Sequence, residues 1–304
     1  MSTHALPPRP AAPIVWWTAI RPRTLGMSLA PVVLGSALAL AESGALDWLV
    51  LLATLACAAL IQIGTNLYND AIDFERGTDR PDRKGPLRVT LAGWASAGEV
   101  KRGALLCLLL ALLLGAYLCT VGGLPILAIG IASLLAGWAY SGGPWPISHS
   151  PFGELFVLLF FGVLAVLGSH WLQSRTLDHL DVLAGVAVGA PAAAVLLVNN
   201  FRDRESDLRG GRRTLASLLG PRRAWLVFAL LVLAPLAALV AIGLGGHPGA
   251  VLGLVCAPTM LALARRFRTA PGAAALNAVL VDTARAGTRA GLLAAAGIVG
   301  LAVL

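Results

Sequence analysis

Long apolar runs separated by short polar or glycine-rich segments cover most of the chain. Nine such runs can be distinguished, and most reach the length of about 20 residues that a helix needs to cross a bilayer. The runs are continuous and do not alternate, which predicts helices and not the strands of a transmembrane barrel. The runs are 24–41, 48–65, 103–121, 124–141, 155–172, 182–198, 224–244, 250–264 and 286–304. The pattern therefore predicts an all-α, polytopic membrane protein with about nine transmembrane helices in one bundle.

The composition agrees with a membrane protein. The chain has 304 residues, of which 58% are hydrophobic and 12% are charged, whereas a soluble domain is about 25% charged. This excludes a disordered chain, a coiled coil and a secreted disulfide scaffold. The four cysteines lie in apolar stretches without a CxxC pair, which favours packing over a metal or disulfide role. We treat residues 1–304 as a single transmembrane domain.

The net charge of +8 could indicate nucleic-acid binding, but the positions of the basic residues indicate topology. If nine spans alternate, all of the 23 Lys and Arg residues except Arg175 fall on one side of the membrane. The positive-inside rule places that side, with the tail 1–20, in the cytoplasm and the C-terminus outside. We therefore expect a multi-pass protein of the cell (plasma or inner) membrane in contact with the lipid bilayer, and no nucleic-acid partner.

Two polar segments extend predicted spans where a turn would be expected. The first carries Asn66, Asp70 and Asp73, and the second carries Asn199, Asp203 and Asp207. At helical spacing the three side chains of each segment share one face. The separation in sequence between Asn66 and Asn199 equals that between Asp70 and Asp203. This indicates a weak internal repeat whose two halves face each other.

The residue types in these segments suit a metal and a phosphate. Carboxylate and amide oxygens are hard ligands suited to Mg²⁺, which is usually held by a few carboxylates together with substrate phosphates. The candidate metal ligands are Asn66, Asp70, Asp73, Asp203 and Asp207, with Asn69 and Asn199 as alternates. Basic side chains that follow could bind the phosphate oxygens of a diphosphate. These candidates are Arg83, Lys84, Arg88, Arg202 and Arg212.

Two interpretations of these segments stay open from the residues alone. The loops 74–98 and 204–222 are predicted to form a cytoplasmic cap over a cavity in the bundle. Alternatively, the acids could form solvated ion pairs while the basic residues only set the topology. A membrane transporter is a further alternative, because it would also show a repeat and polar residues in its spans. Transport sites lie near the bilayer midplane, however, whereas these acids cluster at one end.

The chain resembles the UbiA-type intramembrane prenyltransferases over nearly its whole length. The motifs that carry the resemblance are Asn69-Asp70-x-x-Asp73 and Asp203-x-x-x-Asp207. The next acid of the family's first motif would fall at Gly77, but here Asp79 comes two residues later. This variant, with Gly85-Pro86-x-Arg88, resembles the branch that prenylates 1,4-dihydroxy-2-naphthoate in menaquinone synthesis. Further matching stretches are Arg21-Pro22-Arg23-Thr24-Leu25, Tyr140-Ser141-Gly142-Gly143-Pro144, Asn199-Asn200-Phe201-Arg202-Asp203, and Leu276-Asn277 with Thr283-Ala284-Arg285.

The resemblance implies an activity and a set of roles. A polyprenyl diphosphate would bind with Mg²⁺ at the acids, its C1–O bond would break, and the naphthalene ring would attack the allylic cation. The ring carboxylate would leave as CO₂, giving demethylmenaquinol. The catalytic residues are expected to be Asp70, Asp73, Asp203 and Asp207. Tyr140 is a candidate to shield the cation, and Arg21 or Arg23 to meet the acceptor carboxylate. Prenylation of another acceptor, 4-hydroxybenzoate or homogentisate, is the alternative within the same chemistry.

Overall fold

The computed structural model describes residues 8–79 and 84–303, and within them the chain forms ten helices and no strands. Their bounds are α1 Ala12–Ile20, α2 Pro22–Ser43, α3 Trp48–Glu75, α4 Ala97–Gly122, α5 Leu124–Ser141, α6 Gly153–Ser174, α7 His179–Arg209, α8 Leu215–Leu244, α9 Pro248–Thr269 and α10 Ala273–Ala302. The nine helices from α2 to α10 correspond one to one with the nine apolar runs.

Within the described residues, eight helices, α2 to α9, are long and apolar enough to cross a membrane. The ninth, α10, is 30 residues long. It carries Asp282, Arg285 and Arg289 but packs against α2, α7 and the first turns of α9. The prediction of an all-α bundle with about nine transmembrane helices is therefore confirmed. The first turns of α9, Pro248–Cys256, are a 3₁₀-helix, and α10 begins well before the run 286–304.

One of the two predicted cap loops, 204–222, was predicted wrongly. Helix α7 continues to Arg209 and α8 begins at Leu215, so most of the predicted loop 204–222 is helical. A break follows at Gly220, whose φ of 68° is in the left-handed region that favours glycine. The other predicted loop, 74–98, has nearly the observed bounds: α3 ends at Glu75 and α4 begins at Ala97, which leaves a connector 76–96, of which 80–83 lie outside the described residues. Part of the predicted tail 1–20 is also helical, as α1.

Helix α6 contains a π-helical turn at Leu159–Val163, where it crosses α7 closely. A Cβ atom at Gly162 would lie 2.3 Å from the carbonyl oxygen of Gly185 and 2.7 Å from the Cα of Gly189. The two helix backbones can approach this closely only because all three residues are glycine. The π-helical turn therefore coincides with the closest approach of α6 and α7. Such turns are often found near functional sites.

A buried ionic cluster joins three helices at the far end of the bundle, opposite the C-terminal ends of α3 and α7. The His170 side chain is fully buried on α6, with Nδ1 2.5 Å from Asp181 Oδ1 and Nε2 3.1 Å from Glu42 Oε2. Asp181 lies in the first turn of α7 and also accepts a hydrogen bond from the backbone N–H of Asp178, at 2.9 Å. The cluster thus ties α2, α6 and α7 together.

Candidate active site

The last turns of α3 place two acids against the connector 76–96. Asp70 and Asp73 are 2% and 4% exposed. One carboxylate oxygen of Asp70 accepts a hydrogen bond from the backbone N–H of Val89 at 3.2 Å, and the other accepts one from the Thr90 hydroxyl. The connector therefore folds back over the end of α3, and its backbone fixes the orientation of the Asp70 carboxylate.

Arg88 of the connector is the counter-ion of the acids of α3. Its Nη2 lies 3.0 Å from Asp73 Oδ2, and its Nε lies 2.9 Å from Asp79 Oδ2. Its Nη1 donates to the backbone and side-chain oxygens of Asn69, at 3.0 and 2.8 Å. Burial alone would lower the pKa of Arg88, but the carboxylates of Asp73, Asp79 and Asp70 more than offset it and raise the pKa. The guanidinium of Arg88, which was predicted to bind diphosphate, thus contacts groups of the protein itself.

Arg202 is the counter-ion of Asp203 on α7, and its side chain has no exposed surface. Its Nε and Nη2 contact the two carboxylate oxygens of Asp203, at 2.8 and 2.5 Å. Nη2 also donates to Asn199 Oδ1 at 2.8 Å, and Nη1 donates to Asn277 Oδ1 of α10 at 2.6 Å. The bidentate contact fixes the plane of the Asp203 carboxylate.

Arg212, in the short link between α7 and α8, brings the two motifs together. Its Nη2 lies 2.9 Å from Asp73 Oδ1, and its Nη1 lies 3.8 Å from Asp207 Oδ1. The acids of α3 and α7 therefore meet at one end of the bundle, as the facing halves of the predicted repeat require. We call these five carboxylates the acidic site: Asp70, Asp73, Asp79, Asp203 and Asp207.

The acidic site suits a metal ion that arrives with a ligand. Its donors are carboxylate and amide oxygens, the type that Mg²⁺ prefers. Yet among the residues that the structure describes, no group of three or more His, Cys, Asp or Glu side chains could hold a metal ion. Mg²⁺ is commonly held by one or two carboxylates plus substrate phosphates and water. The donor set fits Mg²⁺ in that shared form.

A cavity of about 1090 Å³ runs into the bundle from a polar end beside the acidic site. The five acids do not line the cavity themselves, but Arg88, which is bound to Asp73, does. The polar end of the cavity includes Asn66, Asn69, Arg88, Tyr140 and Asn199. Both Asn69 and Thr54 line it, and these residues of α3 are about 22 Å apart at 1.5 Å of rise per residue. Leu118, Ile126 and Leu172 line its deep part. The cavity joins a charged end to a long apolar interior.

Helix α6 supplies one continuous wall of this cavity. A stripe of residues spaced four apart along α6 lines the cavity: Phe156, Phe160, Leu164, Gly168 and Leu172. On a regular helix of 3.6 residues per turn, such a stripe would drift by about 40° at each step. The π-helical turn takes up part of that drift, because it holds more residues than an α-helical turn. The turn therefore keeps the stripe directed at the cavity.

The remaining predicted residues lie around the mouth of the cavity. Arg21 and Arg23 line it at the junction of α1 and α2, where Arg21 has a left-handed φ of 57°. Asn66 lines it too and donates to the backbone oxygen of Ile20 at 3.3 Å. Lys84 is more exposed, with its Nζ 3.7 Å from Glu205 Oε2. Arg83 lies outside the described residues.

Sequence reasoning missed one buried and one partly buried polar group beside the site. Glu154, in the first turn of α6, is 4% exposed and accepts a hydrogen bond from Asn200 Nδ2 at 2.9 Å. His149 lies in the α5–α6 connector, where burial, and then the Arg212 guanidinium, lower its pKa below the ordinary value. Isolated polar residues of this kind carry no periodic signal.

The fold is that of solved UbiA homologues. The apo structure of a UbiA homolog from Aeropyrum pernix K1 superposes with a TM-score of 0.68, covering 91% of this chain and 97% of that one at 17% identity. A UbiA homolog from Archaeoglobus fulgidus bound to DMAPP and Mg²⁺ gives a TM-score of 0.63, covering 94% of this chain and 99% of that one at 17% identity. Fold and site together define an integral membrane protein with a cluster of acids beside the polar end of a long apolar cavity.

The sequence comparisons add the family. Residues 28–285 match the UbiA prenyltransferase family, and the chain belongs to it. It is 38% identical to the 1,4-dihydroxy-2-naphthoate octaprenyltransferase of Mycobacterium tuberculosis, over 88% of this chain and 91% of that protein. It is also 38% identical to the enzyme of the same name from Escherichia coli, over 74% of each chain.

Proposed function

We propose that this protein transfers a polyprenyl group from an allylic diphosphate to 1,4-dihydroxy-2-naphthoate, with loss of CO₂ and diphosphate. The product would be demethylmenaquinol, a precursor of menaquinone. The observation that carries the proposal is that Asn69, Arg88 and Asn199, which border the acidic site, line the polar end of a largely apolar cavity of about 1090 Å³. A polyprenyl diphosphate has the same division into a charged head and an apolar tail. Family membership and the names of the relatives support this reaction and this acceptor.

Mg²⁺ would be held by Asn66, Asp70, Asp73, Asp203 and Asp207. When bound, it would neutralise the charge that develops on the departing diphosphate oxygens. The Mg²⁺ bound to the Archaeoglobus homologue supports a metal requirement, and the choice of these five residues rests on their chemistry and position in this chain. Asp70 is oriented by the backbone of the connector, and Asp203 by the two contacts from Arg202. These fixed carboxylates give the site an arrangement that needs little reorganisation during the reaction.

Basic residues would hold the diphosphate itself. Arg212 is the best placed, because it lies between the two motifs and its buried Nε has no hydrogen-bond partner within the described residues. An unpaired buried donor is costly, and a phosphate oxygen would satisfy it. Lys84 lies at the exposed edge of the site, and Arg88 reaches the cavity wall. Arg83 is retained as a candidate from its position in the sequence alone.

The cavity wall would protect the allylic cation. The rings of Tyr140, Phe156 and Phe160 line the cavity, and aromatic faces attract a cation. The apolar surroundings also exclude water, which would otherwise capture the cation and give a prenyl alcohol. The polar end of the cavity borders the acidic site, so the reacting C1 atom would lie between the acids and the aromatic rings.

The acceptor would bind at the same end of the cavity. Arg21 and Arg23 line it there and could pair with the naphthoate carboxylate. The hydroxyl on the neighbouring ring carbon donates electron density to the carboxylated carbon, which is ortho to it. A bond would form between that carbon and C1 of the prenyl group. The bond to the carboxylate would then break, and its electron pair would restore the aromatic ring as CO₂ leaves.

The acidic site is proposed to face the cytoplasm, since nearly all Lys and Arg residues lie on that side of the predicted topology. Single cysteines in a Cys-free background test this orientation. Leu87→Cys should react with an impermeant thiol reagent only in inverted vesicles, and Thr176→Cys only in right-side-out vesicles. The opposite pattern would reverse the topology and move the active site outside.

The reaction is tested with purified protein, a polyprenyl diphosphate and carboxyl-labelled 1,4-dihydroxy-2-naphthoate, with 4-hydroxybenzoate in parallel. We expect one labelled CO₂ per product with the naphthoate, and loss of activity in EDTA that Mg²⁺ restores. Asp70→Ala and Asp203→Ala should each lower activity by about two orders of magnitude or more. Preference for 4-hydroxybenzoate, or product that keeps the label, would refute the acceptor. Full activity in EDTA would refute the metal.

A transporter is the less favoured alternative. Its binding site would lie near the middle of the membrane on broken helices. Here the acids lie at the ends of α3 and α7, each of which is continuous to its last turn. Substrate exchange across proteoliposomes without chemical change would be the result that favours transport.

A further inference from the structure

Asn277, near the start of α10, joins two parts of the active site that come from different segments. Its Oδ1 accepts a hydrogen bond from Arg202 Nη1 at 2.6 Å, and its Nδ2 donates to the backbone oxygen of Lys84 at 3.1 Å. A side-chain amide can make both contacts at once, because it carries an acceptor and a donor. One residue thus connects α7 with the connector 76–96.

On the α7 side, Asn277 completes the environment of a buried cation. The Arg202 side chain has no exposed surface, and its other bonds go to Asn199 and Asp203 within α7. The bond to Asn277 is therefore an anchor outside that helix. Loss of the Asn277 acceptor would leave a buried N–H of Arg202 unpaired. The guanidinium, and the Asp203 carboxylate that it holds, could then turn together.

On the connector side, Asn277 holds the segment that leads into the cavity wall. Lys84 is followed by Pro86, Leu87 and Arg88, all of which line the cavity. Arg88 is in turn bound to Asp73, at 3.0 Å. A fixed carbonyl at Lys84 therefore limits how far this segment can move away from the acids of α3.

We propose that Asn277 is a positioning residue that couples the connector segment 84–96 to the Arg202–Asp203 pair, so that both acid motifs reach their working arrangement together when prenyl diphosphate binds. The inference deepens the proposed function and depends on it for the identity of the substrate. It assigns Asn277 no contact with the reacting atoms.

Two substitutions separate the two contacts. Asn277→Asp keeps an acceptor for Arg202 but cannot donate to the Lys84 carbonyl. It should raise the KM for prenyl diphosphate about tenfold, the scale of one lost hydrogen bond, and leave kcat and the acceptor KM within about twofold. Asn277→Leu loses both contacts and should lower kcat about tenfold or more as well, because Asp203 loses its orientation. Ala278→Asp adds the same charge at an exposed neighbour and should leave all three constants unchanged.

A labelling experiment follows the connector without turnover. Pro86→Cys in a Cys-free background is treated with a maleimide in inverted vesicles, with and without polyprenyl diphosphate and Mg²⁺. We expect the substrate to slow labelling severalfold in the parent protein. In Asn277→Asp the label should react faster, and the substrate should protect less.

The outcomes are distinct. Unchanged labelling and an unchanged diphosphate KM in Asn277→Asp would overturn the coupling, as would an equal rise in both KM values with loss of thermal stability. If the parent protein does not prenylate 1,4-dihydroxy-2-naphthoate but polyprenyl diphosphate still protects Pro86→Cys in an Asn277-dependent way, the acceptor is wrong and the coupling stands.

Discussion

Removing His170 from the far-end cluster should strongly destabilise the bundle. Both ring nitrogens of His170 face carboxylate oxygens, and only the imidazolium, with two N–H donors, satisfies both contacts. His170→Phe keeps an aromatic ring but leaves the Asp181 carboxylate, which is 1% exposed, without its cation. Removal of one partner of a buried ion pair costs about 3–5 kcal/mol. For a chain of this size, that corresponds to a fall in Tm on the order of 10 °C.

A double-mutant cycle tests whether the ion pair is the cause. Asp181→Leu combined with His170→Phe removes both charges, and the pair of changes should cost less than the sum of the single changes, by about 0.5–3 kcal/mol. Glu42→Gln is the matched control. The Glu42 side chain is 31% exposed, so water screens its contact and the cost should stay within about 1 kcal/mol. Thermal unfolding of the purified protein in detergent, at one scan rate, measures each variant. A His170→Phe protein with the parent Tm, or strict additivity, would refute the reasoning.

Two further changes test packing and pH. Gly162→Ala places a Cβ 2.3 Å from the Gly185 carbonyl oxygen and should lower both Tm and activity, since overpacking costs about 1–3 kcal/mol. Gly130→Ala, with nothing within 4 Å, should leave the Tm unchanged, and equal effects of the two changes would contradict the close contact of α6 and α7. Because the pKa of His149 is lowered on folding, its contribution to stability is present above the unfolded value of about 6.5 and is lost as the pH falls below it. His149→Gln should therefore reduce the loss of Tm between about pH 7 and 5.5, and an unchanged pH profile would rule this contribution out.

The apolar pattern predicts where the long helices lie, because a bilayer requires about 20 apolar residues from each one. It does not predict where they end. The last turns of α3 and α7 are polar, and such turns have the composition of a loop until their contacts are known. The π-helical turn of α6 is also absent from the pattern, because it occurs where Gly162 meets α7, a contact between segments distant in sequence.

The sequence predicts which acids belong to the candidate site but not which cations pair with them. The spacing of Asp70 with Asp73, and of Asp203 with Asp207, places each pair on one helical face. The same spacing cannot say which cation each acid meets. Arg88 was expected to bind a ligand, which stays a prediction, and its contacts with Asp73 and Asp79 were not foreseen. The assignment of metal and diphosphate ligands stays a prediction for the experiments above.

A cationic ligand that enters the acidic site has to replace contacts that Arg212 already makes with the acids. The Arg212 guanidinium lies between Asp73 and Asp207, so a diphosphate with its metal has to take over contacts that a cation of the protein makes. The measured affinity is then a difference between two strong sets of contacts. A metal ion alone would be repelled by the Arg212 guanidinium, and a diphosphate alone would be repelled by the carboxylates. Only a ligand that brings both charges together would relieve both repulsions, so under the proposed function the site would be selective for the metal–diphosphate complex as a unit.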